Sequence, residues 1–319
     1  MNNSELLNIK DLRKYFRIRN KTGRKSILRA VDGVSFGITR GETLGIVGES
    51  GCGKTTLGRT ILRLTEPDSG SIVYDGEDIT DVNMRPYRAK MQIVFQDPAG
   101  CLDPRCRIND IIAEGLKVNR PGYTAEERKN IVSGLLENVG LDPTVAYRYP
   151  HEFSGGQQQR IGIARALAVE PEFIVCDEPV SALDVSYQSQ IINLLLELQD
   201  KLKLTYLFIS HDLSVVHHIS DRIGVMYMGK LVELGSNEEI VSNPAHRYTR
   251  TLLEAIPIPD PKTSREKERK LSEESVDFIV PEKGCRYCNL CDHAISECHL
   301  TEPELKEITP NHLCACHLI

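Results

Sequence analysis

Residues 48–55 read Gly48-Glu49-Ser50-Gly51-Cys52-Gly53-Lys54-Thr55, with Thr56 following. The pattern is G-x-x-x-x-G-K-[ST], and each residue type in it has a task in holding a polyphosphate. Glycines let the backbone take left-handed angles and approach phosphate oxygens closely. Successive N–H groups and a helix N-terminus then point at the anion. Lys54 would bridge the β- and γ-phosphates, and the Thr55 hydroxyl would ligate Mg²⁺. Asp177 and Glu178 close the compact apolar run Phe173 to Cys176. The first acid suits a metal held through water, and the second suits polarising an attacking water as general base. His211 follows the run Tyr206 to Ser210, where its ring could reach a γ-phosphate. Gln96 ends the run Met91 to Phe95, and its amide oxygen could ligate the metal and report the nucleotide state. Taken singly, each has a plainer reading: a glycine-rich loop without ligand, an acidic strand end, a surface histidine.

A second phosphate contact is written in Phe153-Ser154-Gly155-Gly156-Gln157. Ser154 with Gln157 three positions on is a capping box opening a helix through Ile161, Ala164 and Leu167. Two glycines weaken a mere cap by ~1 kcal/mol each. They make sense where the helix start must press bare amides against a phosphate.

Ten cysteines are unevenly placed, with Cys52, Cys101, Cys106 and Cys176 scattered and Cys285, Cys288, Cys291, Cys298, Cys314 and Cys316 crowded at the end. Without a secretory signal the expected compartment is reducing, and there the crowd reads as a metal site before a disulfide framework. Four thiolates suit tetrahedral Zn²⁺ or a [4Fe–4S] cluster.

The elements that must position these residues alternate. Leu6 to Ile18 and Ile27 to Ile38 read as strand-rich stretches around the loop Asn20 to Lys25, and Thr43 to Val47 is a short buried strand running into the glycines. Asp110 to Asn138 is helical, with Ile131, Leu135 and Val139 at helical spacing in its second part. Phe173 to Cys176 and Tyr206 to Ile209 read as buried parallel strands. Ile191 to Leu204 is an amphipathic helix striped by Ile191, Leu195, Leu198 and Leu202. Val225 to Met228 and Leu231 to Glu233 flank Gly229-Lys230, a hairpin turn signal. Strands alternating with helices predict an α/β core around a largely parallel sheet. After Ile258 three nearby prolines and a polar run predict a linker before the cysteine segment.

Composition narrows the function. The chain has 319 residues with 40% hydrophobic and 26% charged, which excludes wholesale disorder. A net charge of -6 and a pI near 5.9 argue against a general nucleic-acid binder. Apolar runs are short, as at Leu194 to Leu196, far from the ~18 to 20 residues needed to cross a bilayer. The start MNNSELLNIK lacks the order of a secretory signal.

In order and spacing, the glycine loop, Gln96, Phe153 to Gln157, Asp177-Glu178, Ser181-Ala182-Leu183-Asp184 and His211 resemble the nucleotide-binding subunits of ABC transporters. Phe153 stands where that family usually has leucine, as is common in its peptide-importer branch. The resemblance spans roughly residues 6–258. It implies an α/β P-loop NTPase cassette with a RecA-like core, an antiparallel β subdomain and an α-helical signature subdomain. It implies that two cassettes pair head to tail and bury two ATPs, each between one P-loop and the other cassette's Ser154, Gly155, Gly156 and Gln157, with Asp184 cross-linking the halves. Gln96 then marks the loop facing the membrane partner, Tyr15 the ring that stacks on adenine, and Thr55, Gln96 and Asp177 the Mg²⁺ site. Glu178 and His211 would be catalytic.

Finer features resemble the second ATPase of oligopeptide and dipeptide importers: Phe95-Gln96-Asp97-Pro98, Tyr149 to Phe153, Asn243-Pro244-Ala245-His246 with Tyr248-Thr249, and Ala255-Ile256-Pro257-Ile258-Pro259. Such subunits work as heterodimers with a second homologous ATPase beneath two transmembrane permeases, fed by an extracytoplasmic substrate-binding protein. The chain would then sit peripherally on the cytoplasmic face of the membrane. The importer tail matches here at Cys285, Cys291, Cys298 and Cys316, and some members hold an iron–sulfur cluster there. A [4Fe–4S] cluster is therefore the expectation and Zn²⁺ the alternative, with Cys288 and Cys314 extra. The expected domains are a cassette at 1–258, a linker at 259–283 and a cysteine-rich extension at 284–319. The expected function is ATP hydrolysis powering peptide import. Its alternatives are a soluble ABC ATPase acting on ribosomes or DNA, without nucleic-acid contact in the leading reading, and the same transporter type carrying nickel or sugars.

Overall fold

The computed structural model describes residues 4–19, 25–255 and 283–319. Its strands are β1 (Glu5–Arg19), β2 (Lys25–Thr39), β3 (Thr43–Val47), β4 (Ser69–Tyr74), β5 (Glu77–Asp78), β6 (Met91–Val94), β7 (Phe173–Asp177), β8 (Thr205–Ser210), β9 (Arg222–Tyr227), β10 (Lys230–Ser236), β11 (Lys306–Thr309) and β12 (His312–Cys314). The expected linker at 259–283 falls, up to residue 282, outside the described residues, as do residues 20–24 of the loop between β1 and β2.

An eight-stranded sheet has the order β11-β12-β10-β9-β3-β8-β7-β6. Its middle is parallel, from β9 through β3, β8 and β7 to β6. Residues alternate between the faces of a strand, and here both faces are apolar. Phe173, Val175, Leu207 and Ile209 enter one core, while Ile174, Cys176, Tyr206 and Phe208 enter the other. The first core is closed by Leu57 and Ile61 of the helix Lys54–Ile61 and by Leu7, Ile9, Val31, Val34 and Ile72 of the antiparallel sheet β2-β1-β4-β5. The second is closed by the helices Ile108–Asn119, Ala125–Asn138, Gly155–Leu167 and Val185–Leu202. Among the described residues no helix is long and apolar enough to cross a membrane.

Two expectations shift. The helix Ala125–Asn138, capped by the Thr124–Glu127 box, buries Val132 and Leu136 fully, and Val139 just beyond its end is buried too, with Ile131 and Leu135 only packed alongside. The turn between β9 and β10 is Met228-Gly229, one residue earlier than expected, with Lys230 paired to Tyr227. Both turn residues have positive φ, 42° and 84°, as a type I′ hairpin requires.

The extension returns to the sheet, where β12 lies antiparallel on β10. Glu233 on β10 is fully buried and anchors this joint. It accepts from the backbone N–H of Ala245 (2.7 Å) and His246 (2.9 Å) and from Thr249 Oγ1 (2.5 Å), and it meets His312 Nε2 at 2.7 Å. The Asn243-to-Thr249 stretch therefore folds around one carboxylate. Replacing Glu233 with alanine strands four polar groups and is expected to cost about 3 kcal/mol, read as a lower urea midpoint of unfolding.

Candidate nucleotide site

The carboxyl ends of β3, β7 and β8 lie side by side, with Val47 level with Ser210 and Asp177 with Ile209. The chain leaves them as the glycine loop, as Asp177-Glu178 and as His211. Gly53 stands at φ 111° before the helix Lys54–Ile61, and a Cβ there would lie 1.9 Å from the Ala30 carbonyl oxygen. Glycine is thus required both by angle and by space. Gly51 is also left-handed, at 82°. Lys54 is only 3% exposed. Its ammonium donates to the loop's own carbonyls, Gly48 at 2.6 Å and Glu49 at 2.9 Å, and lies 4.0 Å from Glu178 Oε1. Cys52 is buried, and burial pushes its thiol pKa up, so it is a poor nucleophile. Ser50 and Gly51 are exposed, and Thr56 is half-buried.

Thr55 Oγ1 donates to Asp177 Oδ1 at 2.7 Å. Asp177 is buried, and burial raises its pKa against the opposing hydrogen bond from Thr55 and the charge of Arg59. A hydroxyl beside a desolvated carboxylate is an all-oxygen donor pair, which fits a hard cation such as Mg²⁺. Glu178 takes φ 46°, rare for a residue with a side chain. Its N–H is fixed by the Ile209 carbonyl at 2.9 Å. This backbone turn brings Glu178 Oε2 within 3.1 Å of both Gln96 Nε2 and His211 Nδ1. Lys54, Gln96, Glu178 and His211 thus form one polar cluster beside the Thr55–Asp177 pair.

Ser154 caps the helix Gly155–Leu167, with Gln157 completing the box. Ser154, Gly155 and Gln157 are exposed, and Gly156 is covered by Tyr187, whose ring would sit 2.9 Å from an added Cβ. Asp184, also exposed, occupies the N-cap position of the helix Val185–Leu202 without a side-chain capping hydrogen bond. Among the described residues no hydrogen bond or ion pair joins Ser154–Gln157 to the glycine loop. The link runs instead to the Gln96 segment, where Gln159 Nε2 reaches Phe95 O at 3.4 Å. Val185, 78% exposed, and Tyr187, 42% exposed, leave apolar surface beside these caps.

Tyr15 is half-buried on β1. Its hydroxyl donates to Asp32 Oδ1 at 2.6 Å. Its neighbour Phe16 pairs across the sheet with Leu28, and cross-strand partners share a face. Leu28 and Arg29, the latter paired with Tyr15, both line a cavity of about 260 Å³ together with Ala30, Glu49 to Cys52 and Tyr227 to Gly229. The strand pairing has a register shift between Lys14 and Tyr15.

The tail thiols do not form the expected cluster. All are free, and Cys285 N–H donates to the Cys298 carbonyl at 2.7 Å. Burial pushes Cys285 up to about 11 and raises Cys288, Cys314 and Cys316. Among the described residues no group of three or more His, Cys, Asp or Glu side chains is placed to hold a metal ion. The expected [4Fe–4S] cluster on Cys285, Cys291, Cys298 and Cys316, and its Zn²⁺ alternative, are therefore without support from the placement of these side chains, and Cys314 lies in β12. Asp32 and Arg286, which meet beside the β9–β10 turn, carried no signal in the sequence.

Comparison with known proteins agrees with this geometry. Residues 31–181 match the ABC transporter family model, and residues 232–298 match that of the oligopeptide/dipeptide transporter C-terminal region. The chain is 50% identical to the oligopeptide transport ATP-binding protein AppF of Bacillus subtilis, over 99% of this chain and 98% of that one. It is 54% identical to OppF of the same organism, over 85% and 89%. Among solved structures, the ATP-binding cassette MJ0796, a dimer in a post-hydrolysis state bound to ADP and Pi, is similar with a TM-score of 0.65 and 28% identity, covering 73% of this chain and 99% of that one. CbiO1 from Clostridium perfringens, part of the ABC transporter complex cbiONQ, gives 0.65 and 27%, covering 83% and 99%.

Proposed function

Because the chain belongs to the ABC transporter ATPases, in their oligopeptide/dipeptide branch, we propose that it hydrolyses ATP at the glycine loop to power peptide import. The observation that carries the chemistry is the meeting of Lys54, Gln96 and His211 on the Glu178 carboxylate beside Thr55–Asp177. Near full-length similarity to AppF supports the cargo class. Action on ribosomes or DNA, or transport of nickel or sugars, is not favoured.

ATP would draw Lys54 from the carbonyls of Gly48 and Glu49 to its phosphates, where the ammonium and the amides of Gly51 to Thr56 neutralise charge. Thr55, Asp177 and Gln96 would hold Mg²⁺, which supplies further neutralisation of the phosphate oxygens when bound. Glu178 accepts the proton of the attacking water, and His211 steadies the carboxylate and the γ-phosphate. Tyr15, whose cross-strand partner Arg29 lines the cavity beside the glycine loop, would stack on adenine.

The exposed caps at Ser154 and Asp184, flanked by Val185 and Tyr187, await a partner. We assign that partner to a second homologous ATPase in a heterodimer. Residues 1–258 form the cassette and 284–319 an appended extension, on the cytoplasmic face beneath two permeases and served by a substrate-binding protein. Reconstituting these subunits in vesicles tests the proposal. ATP-driven peptide accumulation that stops when this chain is omitted is expected. Accumulation that persists without it rejects the reading.

A further inference from the structure

Arg286 and Tyr287, near the start of the C-terminal segment 283–319, contact the residues that flank the glycine loop. The Arg286 guanidinium is buried and donates to the Met228 carbonyl and to the Asp32 carboxylate. Asp32 accepts from Tyr15 as well, and its N–H donates to the Gly229 carbonyl at 2.9 Å. Gly229 N–H in turn donates to Cys52 O of the loop at 2.7 Å. The β9–β10 turn is thus clamped by Arg286 on one side and grips the loop on the other.

Tyr287 takes a second route. Its ring lies edge-on to Tyr227 at 5.3 Å and tilted against Tyr248 at 5.5 Å, and its hydroxyl meets Thr251 Oγ1 at 3.0 Å. Tyr227 and Tyr248 are 4.5 Å apart, and the Tyr248 hydroxyl accepts the N–H of Glu49 at 2.9 Å. Both routes end on the same loop, at Cys52 and at Glu49. These residues line one cavity with Tyr227 to Gly229.

We propose that the extension is a positioning element of the nucleotide site, with Arg286 and Tyr287 holding the glycine loop in its phosphate-ready shape through the Met228-Gly229 turn and through Tyr248. A glycine-rich loop loses much backbone entropy on ordering. A scaffold that orders it beforehand raises affinity for the ligand. The effect belongs to ground-state binding, so it appears in the dissociation constant and KM for ATP and leaves kcat at saturation nearly intact. The inference rests on the reading that this loop holds ATP.

The test is a nucleotide titration of the full chain, with turnover measured in the assembled transporter. Tyr287→Ala and Arg286→Ala are each expected to weaken ATP binding about tenfold, with kcat within about twofold. Arg286→Lys should recover part of the loss. Tyr248→Phe keeps every ring contact and removes one hydroxyl. It should itself weaken ATP several-fold, and Tyr287→Ala added to it should do little more. Should the alanine variants denature, Tyr248→Phe decides alone. Unchanged ATP affinity in folded Tyr248→Phe, or effects of the pair that multiply fully, overturns the inference. Lys54→Ala separates the two levels. If it loses ATP while the extension variants do not, the inference falls and the nucleotide site stands. If it binds ATP like the parent, both fall.

Discussion

Glu178→Gln will bind ATP and fail to turn it over, with hydrolysis slowed about a hundred- to ten-thousandfold. The amide is isosteric, so contacts with Gln96 Nε2 and His211 Nδ1, both at 3.1 Å in the parent, can be rearranged without moving the backbone. What is lost is the basic oxygen that takes a proton from water. A negative charge facing the phosphates is also lost, so affinity should hold or rise. The substituted protein, mixed with its partner and ATP, should therefore remain in the closed dimer, seen as a persistent larger species in size-exclusion chromatography. Single-turnover phosphate release measures the chemical step. Release within tenfold of the parent would remove Glu178 from the role of base.

Lys54→Ala carries the other large effect, a loss of ATP affinity of about a hundredfold. Lys54 is buried, so its charge acts in a low-dielectric setting, where it is worth more than at a surface. It also spans the loop by bonding the carbonyls of Gly48 and Glu49. Its loss removes both the charge and a brace. Fluorescent-nucleotide titration reads the change, and an unaltered dissociation constant would mean that the phosphates sit elsewhere.

Much of this site was legible because its signals are local. The strand Thr43 to Val47, the glycines and the helix from Lys54 are contiguous, and strand, loop and helix came out with those bounds. Asp177 and Glu178 end an apolar run that the structure places as a buried strand between β8 and β6. The Ser154–Gln157 box formed as its spacing demanded. Other features depend on register or on distant chain. Along β1 the pairing slips several times, including between Lys14 and Tyr15, so counting alternate residues does not tell which aromatic faces the loop. The sharp bend at Glu178 rests on a left-handed angle that its residue type does not announce. The meetings of Arg286 with Asp32, and of Tyr287 with Tyr248, join segments whose separation leaves no periodic trace. The tail cysteines show the converse: their spacing suggested ligands, but among the described residues no group of them is placed to hold a metal ion.

The seam between β10 and β12 has a bearing on how the molecule must be handled. An uncovered strand offers a row of free amides and carbonyls as a template for other chains. β10 is such a strand, carrying buried Leu231, Val232 and Leu234, and the tail shields its outer rim through Leu234 and Val232. Trimming the chain before residue 283 would bare that rim and invite fibrous or amorphous self-association, so poor yields of a shortened cassette would reflect a sticky margin rather than a failed core.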